Sequence, residues 1–314
     1  MNQIEHVLAI KNTLGEGPIW QPEEQVLYWV DIDGQCFFKF DPATGKHERF
    51  EVGLPVGVVA FRADGGIIMA TQKGFAFWDF DALGELDAFG MLRKAPQASY
   101  SHYPSRIDTT SSLQLIADPE AHKPQTRFND GKVDSHGRFW AGTLGDSYHN
   151  ALYRFDPDGS VQMMEDGIGL ANGIGWSPDN QTLYFTDSLR HSIYAYDYDA
   201  VSGTIANRRV FVHDDSAGLP DGLTVDREGF IWSAWWGGWR ITRYDPEGKL
   251  ERQVEMPVEC PTSCTFGGAS LDELYITSAC AALGEAGKHK QPLAGDLFRL
   301  KTTVPGLTTY QFAG

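Results

Sequence analysis

The chain alternates between short runs of apolar residues and clusters of Asp, Gly, Pro and Asn. Apolar runs bounded by such turn residues predict β-strands, and helical periodicity is nearly absent. A polar turn that leads into an apolar strand is repeated at residues 21–31, 62–71, 134–143, 177–187, 226–235 and 268–278. A further strand rich in aromatic residues follows, as in CFFKFDP from Cys36 and ALYRFDP from Ala151.

Six copies of one strand pattern, most of them about 40 to 50 residues apart, indicate a repeat architecture. The last copy has no fourth strand of its own, and the segment from Glu5 to Ile10 belongs to no copy. Both observations are explained if the N-terminal strand completes the last sheet and closes the ring. The sequence therefore predicts an all-β fold, a six-bladed β-propeller, with residues 1–314 in a single domain. A pair of β-sandwiches is the alternative, but it gives no reason for six copies in one register.

One interval between copies is longer, because residues 86–126 contain additional material. This segment predicts a fourth strand at Leu113–Ala117 flanked by an insertion. Long insertions between sheets are usually surface loops, and lids over sites are a minority. We therefore expect a surface loop, with His102 and Tyr103 as weak candidates for a lid.

The strand that precedes each polar turn is predicted to be the innermost strand of its sheet. One aligned position in these six strands, called the ring below, is occupied by Glu16, Gly57, Asn129, Asn172, Asp221 and Ser263. Innermost strands run side by side around a propeller axis, so we expect the ring residues to converge at one mouth of the channel. Two buried carboxylates repel each other, and a divalent cation bound by carboxylate and amide oxygens relieves that repulsion.

Each ring residue also has a simpler interpretation, because Asp-Gly and Asn-Gly are common turn dipeptides. Their shared position in the repeats favours a channel metal over turn chemistry alone. Register by itself does not select which ring residues bind the metal.

Composition and charge narrow the range of partners. The formal net charge of −16 argues against nucleic acid, because phosphate binding needs a basic surface. No apolar run of about 18 residues is present, so no membrane span is predicted. The N-terminal segment lacks the regions of a signal peptide, so we expect a cytoplasmic protein. The four cysteines are too few and too irregularly spaced for a disulfide scaffold and are expected to be reduced thiols. The sequence carries no signal of oligomeric state.

Several long motifs, in the same order, resemble the family of senescence marker protein 30 (regucalcin) and the gluconolactonases. They include LGEGPIW at 14–20, RFNDGKVD at 127–134, NGIGWSPD at 172–179, YFTDS at 184–188, PDGLTVD at 220–226 and TSCTFGG at 262–268. The similarity continues to the closing QFAG and covers essentially the whole chain. It implies a six-bladed propeller with a divalent metal on the channel axis, and hydrolysis of sugar lactones.

The resemblance also implies roles for individual residues. The implied metal ligands are Glu16, Asn172 and Asp221. The implied substrate-binding residues are Arg127 and Asn129.

One hypothesis follows from these assignments: hydrolysis of a sugar (aldono) lactone to the open-chain aldonic acid. The metal would polarise the carbonyl group, and Asp221 would act as general base towards a water molecule. Calcium suits the three oxygen ligands best, although zinc, manganese, iron(II) or magnesium is accepted by the same set. The sequence lacks Gly-x-Ser-x-Gly and HExxH motifs, which disfavours a serine nucleophile and a zinc-protease centre.

Two alternative functions use the same scaffold. One is a calcium-binding regulatory protein without significant turnover, and the other is a hydrolase of organophosphates or aryl esters. Arg127 and Asn129 favour the lactonase, because a calcium carrier has no use for sugar-binding groups. The aromatic segment SAWWGGWR is compatible with the hydrolase of organophosphates or aryl esters, which therefore stays an alternative.

Other side chains near the expected pocket have two interpretations each. Trp235, Trp236 and Trp239 can stack on a sugar ring or pack between blades. Asp187 can support Asn172 from behind or join neighbouring blades.

The segment after the AGT strand differs from the family pattern. A family glutamate that contacts substrate is not matched, since Ser147 stands at its position beside Asp146. Tyr148 and His149 follow, and they either border the pocket or belong to a surface loop.

Overall fold

The computed structural model describes residues 4–80 and 112–314. Within these residues, twenty-four strands form six antiparallel sheets of four strands each. The innermost strands of successive sheets contact one another, and the last contacts the first, so the sheets surround a central channel. The predicted all-β, six-bladed propeller is confirmed.

The elements have the following bounds. Strand β1 spans Glu5–Leu8. Blade one contains β2 (Gly15–Gln21), β3 (Val26–Asp31), β4 (Cys36–Asp41) and β5 (Lys46–Glu51). Blade two contains β6 (Val56–Phe61), β7 (Ile67–Thr71), β8 (Gly74–Trp78) and β9 (Leu113–Ala117). Blade three contains β10 (Arg127–Val133), β11 (Phe139–Leu144), β12 (Asn150–Phe155) and β13 (Val161–Ile168).

The second half of the chain continues the same order. Blade four contains β14 (Ala171–Trp176), β15 (Thr182–Asp187), β16 (Ser192–Asp199) and β17 (Thr204–His213). Blade five contains β18 (Leu219–Val225), β19 (Ile231–Trp236), β20 (Arg240–Tyr244) and β21 (Leu250–Glu255). Blade six contains β22 (Pro261–Gly267), β23 (Glu273–Ser278), β24 (Leu297–Lys301) and β1. A short helix, α1, spans Glu285–Lys290, and no helix in the described part of the chain is long and apolar enough to cross a membrane.

The N-terminal strand completes blade six, as predicted. β1 pairs antiparallel with β24, with Glu5 opposite Arg299 and His6 opposite Phe298. The Arg299 guanidinium donates to both carboxylate oxygens of Glu5, at 2.8 and 3.0 Å, and to Glu273 at 3.0 Å. The two ends of the chain therefore meet in one sheet and close the ring of blades.

The predicted strand at Leu113–Ala117 is confirmed as β9, the outer strand of blade two. Trp78 lies opposite Leu113 at the end of the sheet remote from the ring. His102 and Tyr103 fall outside the described residues, and the lid stays a prediction.

All six innermost strands share one irregularity. Their pairing register shifts between Glu16 and Ile19, Val56 and Val58, Phe128 and Gly131, Ala171 and Ile174, Pro220 and Leu223, and Pro261 and Cys264. A β-bulge interrupts the alternation of side chains and aims them in new directions. Because every shift adjoins or contains a ring position, the same local distortion is repeated around the channel mouth.

Two polar turns hold fully buried carboxylates. Asp134 accepts a hydrogen bond from the Trp140 indole at 2.9 Å, and Asp226 accepts one from Trp232 at 3.1 Å. Arg243 also donates to Asp226 at 2.7 Å. The repeated D-x-x-G-x-x-W spacing of blades three and five therefore serves turn and core structure. All four cysteines are free thiols, as predicted.

The C-terminal segment crosses the end of the channel opposite to the ring. Phe312 is fully buried, and its backbone exchanges hydrogen bonds of 2.8 Å with blade two at Phe61 and Ala63. Ala313 continues the contact by donating to Gly137 of blade three at 3.0 Å. Residues 307–310 line the channel just before these contacts.

Candidate metal and substrate site

The ring residues lie together at the starts of the innermost strands. Those with side chains are each more than nine-tenths buried: Glu16, Asn129, Asn172, Asp221 and Ser263. A Cβ atom at Gly57 would lie 2.5 Å from the carbonyl oxygen of Phe128 on the neighbouring strand. The strands approach so closely at this point that the sixth position must be glycine.

A chain of hydrogen bonds links three blades at the ring. The Arg127 guanidinium donates to Asn129 Oδ1 at 2.7 Å, and Asn129 Nδ2 donates to Asn172 Oδ1 at 2.9 Å. Asn172 Nδ2 donates to the Ser188 hydroxyl at 2.9 Å, which donates in turn to the Pro220 carbonyl at 2.6 Å. These bonds fix the orientation of both carboxamides and extend to the residue before Asp221.

The two ring carboxylates are destabilised as anions. Burial raises the pKa of Asp221 well above its ordinary value, and the charges of Glu16 and Asp130 raise it further. Burial, followed by the charge of Asp130, raises the pKa of Glu16 to about 8, although the Gly17 N–H donates to this carboxylate at 3.1 Å. Asp221 Oδ1 is buried and accepts no hydrogen bond from the described residues.

The donor set fits a divalent cation. Asp221 has an unpartnered carboxylate oxygen, Glu16 is a second buried carboxylate, and Arg127 is the basic residue whose charge acts on both. Asn172 Oδ1 accepts one hydrogen bond and keeps a second lone pair. The described residues contain no group of three or more His, Cys, Asp or Glu side chains placed to hold a metal. A metal at the ring would be held by the Asn172 amide oxygen together with the two carboxylates, a donor set that suits a hard ion.

Arg127 begins β10 and brings a positive charge to the ring. Burial lowers the pKa of its guanidinium, while the negative charges of Asp33, Glu16 and Asp221 oppose that effect. It also donates to the Phe128 carbonyl at 3.0 Å. The predicted substrate residues Arg127 and Asn129 thus lie beside the predicted metal ligands.

Asp130 is an acidic residue that the sequence analysis did not single out. It is buried next to Asn129, and its carboxylate accepts a hydrogen bond from the Gly131 N–H at 2.7 Å. Asn129 and Asp130 are consecutive, so strict strand alternation would place them on opposite faces. Both lie inside the bulge between Phe128 and Gly131. The sequence pattern did not reveal this bulge, so the burial of Asp130 was not predicted.

Comparison with known proteins identifies the family. Residues 14–280 match the model of the SMP-30/gluconolactonase/LRE-like region. The chain belongs to this family. The resemblance inferred from the motifs is therefore confirmed.

Individual members of the SMP-30/gluconolactonase/LRE-like family are similar over nearly the whole chain. Regucalcin of Xenopus laevis is 35% identical, with 99% of each chain covered. The pentonolactonase of Haloferax volcanii is 36% identical over 93% of this chain and 92% of its own. The crystal structure of a calcium-binding protein, regucalcin, from Agrobacterium tumefaciens str. C58 has a TM-score of 0.85 at 25% identity, covering 98% of this chain and 97% of that one.

The three tryptophans near the site have different surroundings. Trp235 is fully buried, and its indole N–H donates to the Thr242 hydroxyl at 2.9 Å, which favours packing within the blade. Trp236 is half-buried opposite Leu219, two residues before Asp221. Trp239 is exposed on the loop that follows.

Asp187 braces the segment that carries Asn172. Its carboxylate accepts hydrogen bonds from the backbone N–H groups of Gly169 at 2.9 Å and Leu170 at 3.0 Å. These two residues lead directly into β14, so the contact favours the supporting role over a link between blades.

The loop after the AGT strand is exposed from Asp146 to His149. The Arg190 guanidinium lies 4.9 Å from the centre of the Tyr148 ring. Tyr148 and His149 line a pocket with His122, and no ring residue lines that pocket. These contacts favour the surface-loop interpretation.

Proposed function

We propose that the protein is a metal-dependent sugar lactonase that converts an aldonolactone to the open-chain aldonic acid. Its family includes gluconolactonases, and a close relative is a pentonolactonase, which supports lactone hydrolysis in general. The proposed metal ligands are Glu16, Asn172 and Asp221, and calcium is the preferred ion. Arg127 and Asn129 are the proposed substrate-binding residues.

The observation that carries this proposal is the unpartnered Asp221 Oδ1. A buried carboxylate oxygen without a hydrogen bond destabilises the fold unless a ligand compensates it. Here it lies in a ring that also presents amide and guanidinium donors suited to sugar hydroxyl groups. A purely structural carboxylate would have bonds of the kind made by Asp226.

The chemistry assigned to the residues is ester hydrolysis. A bound divalent ion supplies Lewis acidity towards the lactone carbonyl. Asp221 accepts a proton from the attacking water, whose oxygen bonds to the carbonyl carbon. The ring C–O bond then breaks, and its oxygen takes that proton back from Asp221 to become the hydroxyl group of the product, which leaves Asp221 ionised again.

Arg127 and Asn129 orient the lactone. The guanidinium has further N–H groups beyond those that bond Asn129 and Phe128, and these can donate to ring and exocyclic oxygens. Because Asn129 is bonded to both Arg127 and Asn172, displacement of one partner shifts the other. Substrate binding and metal binding are therefore expected to be coupled.

A panel of aldono-1,4- and 1,5-lactones tests the proposal with a pH indicator that detects acid release. We expect hydrolysis that chelation abolishes and added metal restores. Full activity of chelated protein would disprove the metal dependence, and no acid release from any lactone would disprove the lactonase.

A calcium-binding regulatory role without turnover is the second candidate. It is favoured by the similarity to proteins described as regucalcin and as calcium-binding. Calcium binding without acid release from the panel would support this candidate instead.

A further inference from the structure

The turn between β3 and β4 lies on the same side of the propeller as the ring. Asp31, the last residue of β3, pairs with Gly15, and the next pair along the two strands is Glu16 with Val30. Residues 32–35 connect β3 to β4 directly beyond that point. This turn of blade one, called the rim turn below, therefore stands at the mouth of the channel beside a proposed metal ligand.

The rim turn is firmly held by its neighbours. The buried carboxylate of Asp31 accepts hydrogen bonds from the backbone N–H groups of Thr13 and Leu14, both at 2.9 Å. It also accepts one from the Gly34 N–H within the turn, at 3.0 Å. Ile32 is fully buried, and its N–H donates to the Leu14 carbonyl at 3.0 Å. These contacts tie the rim turn to the segment that leads into β2.

Asp33 is exposed on the rim turn and takes no part in holding it. Aspartates in other turns of this chain accept a hydrogen bond from the backbone two residues on, as Asp41 does from Ala43 and Asp214 from Ser216, both at 2.8 Å. Asp33 accepts no such bond and forms no ion pair with any residue that the structure describes. Its carboxylate is therefore available to a ligand at the mouth.

Asp33 faces Arg127 across the mouth of the channel. Among the acidic residues that oppose the lowering of the Arg127 pKa, Asp33 has the largest effect, ahead of Glu16 and Asp221. The two groups nevertheless form no ion pair, so a gap separates them. Blade two lies between their blades, and its ring position is Gly57, so no ring side chain fills this gap.

We propose that Asp33 is a substrate-specificity residue that accepts hydrogen bonds from hydroxyl groups of the sugar lactone, opposite Arg127. This inference rests on the proposed lactonase function. A guanidinium only donates hydrogen bonds and an ionised carboxylate only accepts them, so a polyhydroxylated ring held between the two finds both kinds of partner. Hydrogen bonds from hydroxyl groups to a carboxylate are stronger than those between neutral groups. The substrate is therefore a neutral lactone, because a carboxylate on the sugar would be repelled by Asp33.

Steady-state kinetics with a neutral aldonolactone, D-glucono-1,5-lactone, test this role. Asp33→Ala should raise KM about tenfold and leave kcat and the affinity for calcium within about twofold of wild type, since a charged acceptor for the substrate is lost. δ-Valerolactone has the same ring without hydroxyl groups, so its kcat/KM should change less than about twofold. The matched control is Asp64→Ala, in the exposed turn between β6 and β7 at the other end of the channel, and it should change none of these values.

A purely structural role for Asp33 predicts a different result. Disturbance of the segment before Glu16 would lower the calcium affinity and the turnover of both lactones together. That result, or an unchanged KM for the aldonolactone, would overturn the inference.

A second variant keeps the inference testable if Asp33→Ala does not fold. Asp33→Asn retains the size of the side chain and one acceptor oxygen, and it should raise the same KM about threefold. If the wild type hydrolyses no aldonolactone, the proposed function fails and the role of Asp33 fails with it. If the wild type is active and neither variant changes KM, only the role of Asp33 fails.

Discussion

At the scale of the residue, the proposed site is a set of polar groups whose burial destabilises the folded protein when no ligand is bound. Burial raises the pKa of both Glu16 and Asp221, and the charge of Asp130 raises both further. The carboxamides of Asn129 and Asn172 are held by a continuous chain of hydrogen bonds. Such an arrangement is expected where function, rather than stability, determines the residues.

Replacement of Asp221 should separate activity from stability. Asp221→Asn removes the proposed base and one metal charge, so lactone hydrolysis should fall by at least about a hundredfold. Without metal, Asp221→Asn should be at least as stable as the wild type and up to about 1–2 kcal/mol more stable, because a buried carboxylate with an unpartnered oxygen is removed. Indicator assays and urea unfolding measure the two effects.

The matched control for Asp221→Asn is the exposed Asp215→Asn, which should change neither property. A large loss of stability in Asp221→Asn would contradict the view that one oxygen of this carboxylate lacks a partner.

The raised pKa of Glu16 predicts how the stability of the metal-free protein depends on pH. Its pKa is about 8 in the folded protein against an ordinary value of 4.5, so the folded state binds more protons between these values. Stability should therefore decrease as the pH rises from about 4.5 to 8. Urea unfolding of chelated protein at several pH values measures the slope.

Two comparisons isolate the contribution of Glu16 to that slope. Glu16→Gln should flatten it, and saturating calcium should do so as well by stabilising the ionised carboxylate. A slope that is identical in wild type and Glu16→Gln would refute the assignment.

At the scale of the element, the bulged innermost strand is the unit that builds the site. The register shift recurs in all six innermost strands, and in β10 the consecutive residues Asn129 and Asp130 are both buried. Close contact between neighbouring strands is possible only where a side chain is absent. Gly57 and Gly222 illustrate this, since a Cβ at Gly222 would lie 2.1 Å from Ser263 Oγ.

Gly57→Ala tests the close approach of blades two and three. The added Cβ would lie 2.5 and 2.6 Å from two backbone carbonyl oxygens, so the strands must separate. We expect a loss of about 2–4 kcal/mol in thermal or urea unfolding, with weaker calcium binding. Gly284→Ala, where a Cβ meets nothing within 4 Å, is the control and should be nearly neutral.

At the scale of the whole molecule, one sheet is assembled from both ends of the chain. Beyond the pairing of β1 with β24, the buried carboxylate of Asp296 is hydrogen-bonded to His6 Nε2 at 2.9 Å. It also accepts a hydrogen bond from the Ile10 N–H at 3.0 Å. Stability of the ring therefore depends on contacts between residues separated by nearly the full length of the sequence.

Deletion of residues 1–8 should leave β24 as an unpaired edge. We expect a lower unfolding temperature and concentration-dependent association, because exposed strand edges pair with other chains. Light scattering and calorimetry measure both effects. Glu5→Gln is the control, since it removes only the exposed ion pair with Arg299, a change worth less than about 1 kcal/mol. A deletion variant as stable and monodisperse as this control would show that closure is not required.

The sequence by itself determined the repeat, the number of blades and the ring. Polar turns and apolar strands are local patterns, and their sixfold recurrence leaves Glu5–Leu8 as the obvious partner for the last sheet. The common register of Glu16, Asn172 and Asp221 is likewise a property of position in a repeat.

Only the tertiary structure decided which polar groups are satisfied. The unpartnered oxygen of Asp221, the burial of Asp130 in a bulge and the position of Asp33 opposite Arg127 depend on strands from different blades. Bulges change the direction of a side chain without a clear signal in residue type. Electrostatic interactions likewise depend on distances across the channel, which no spacing along the chain specifies.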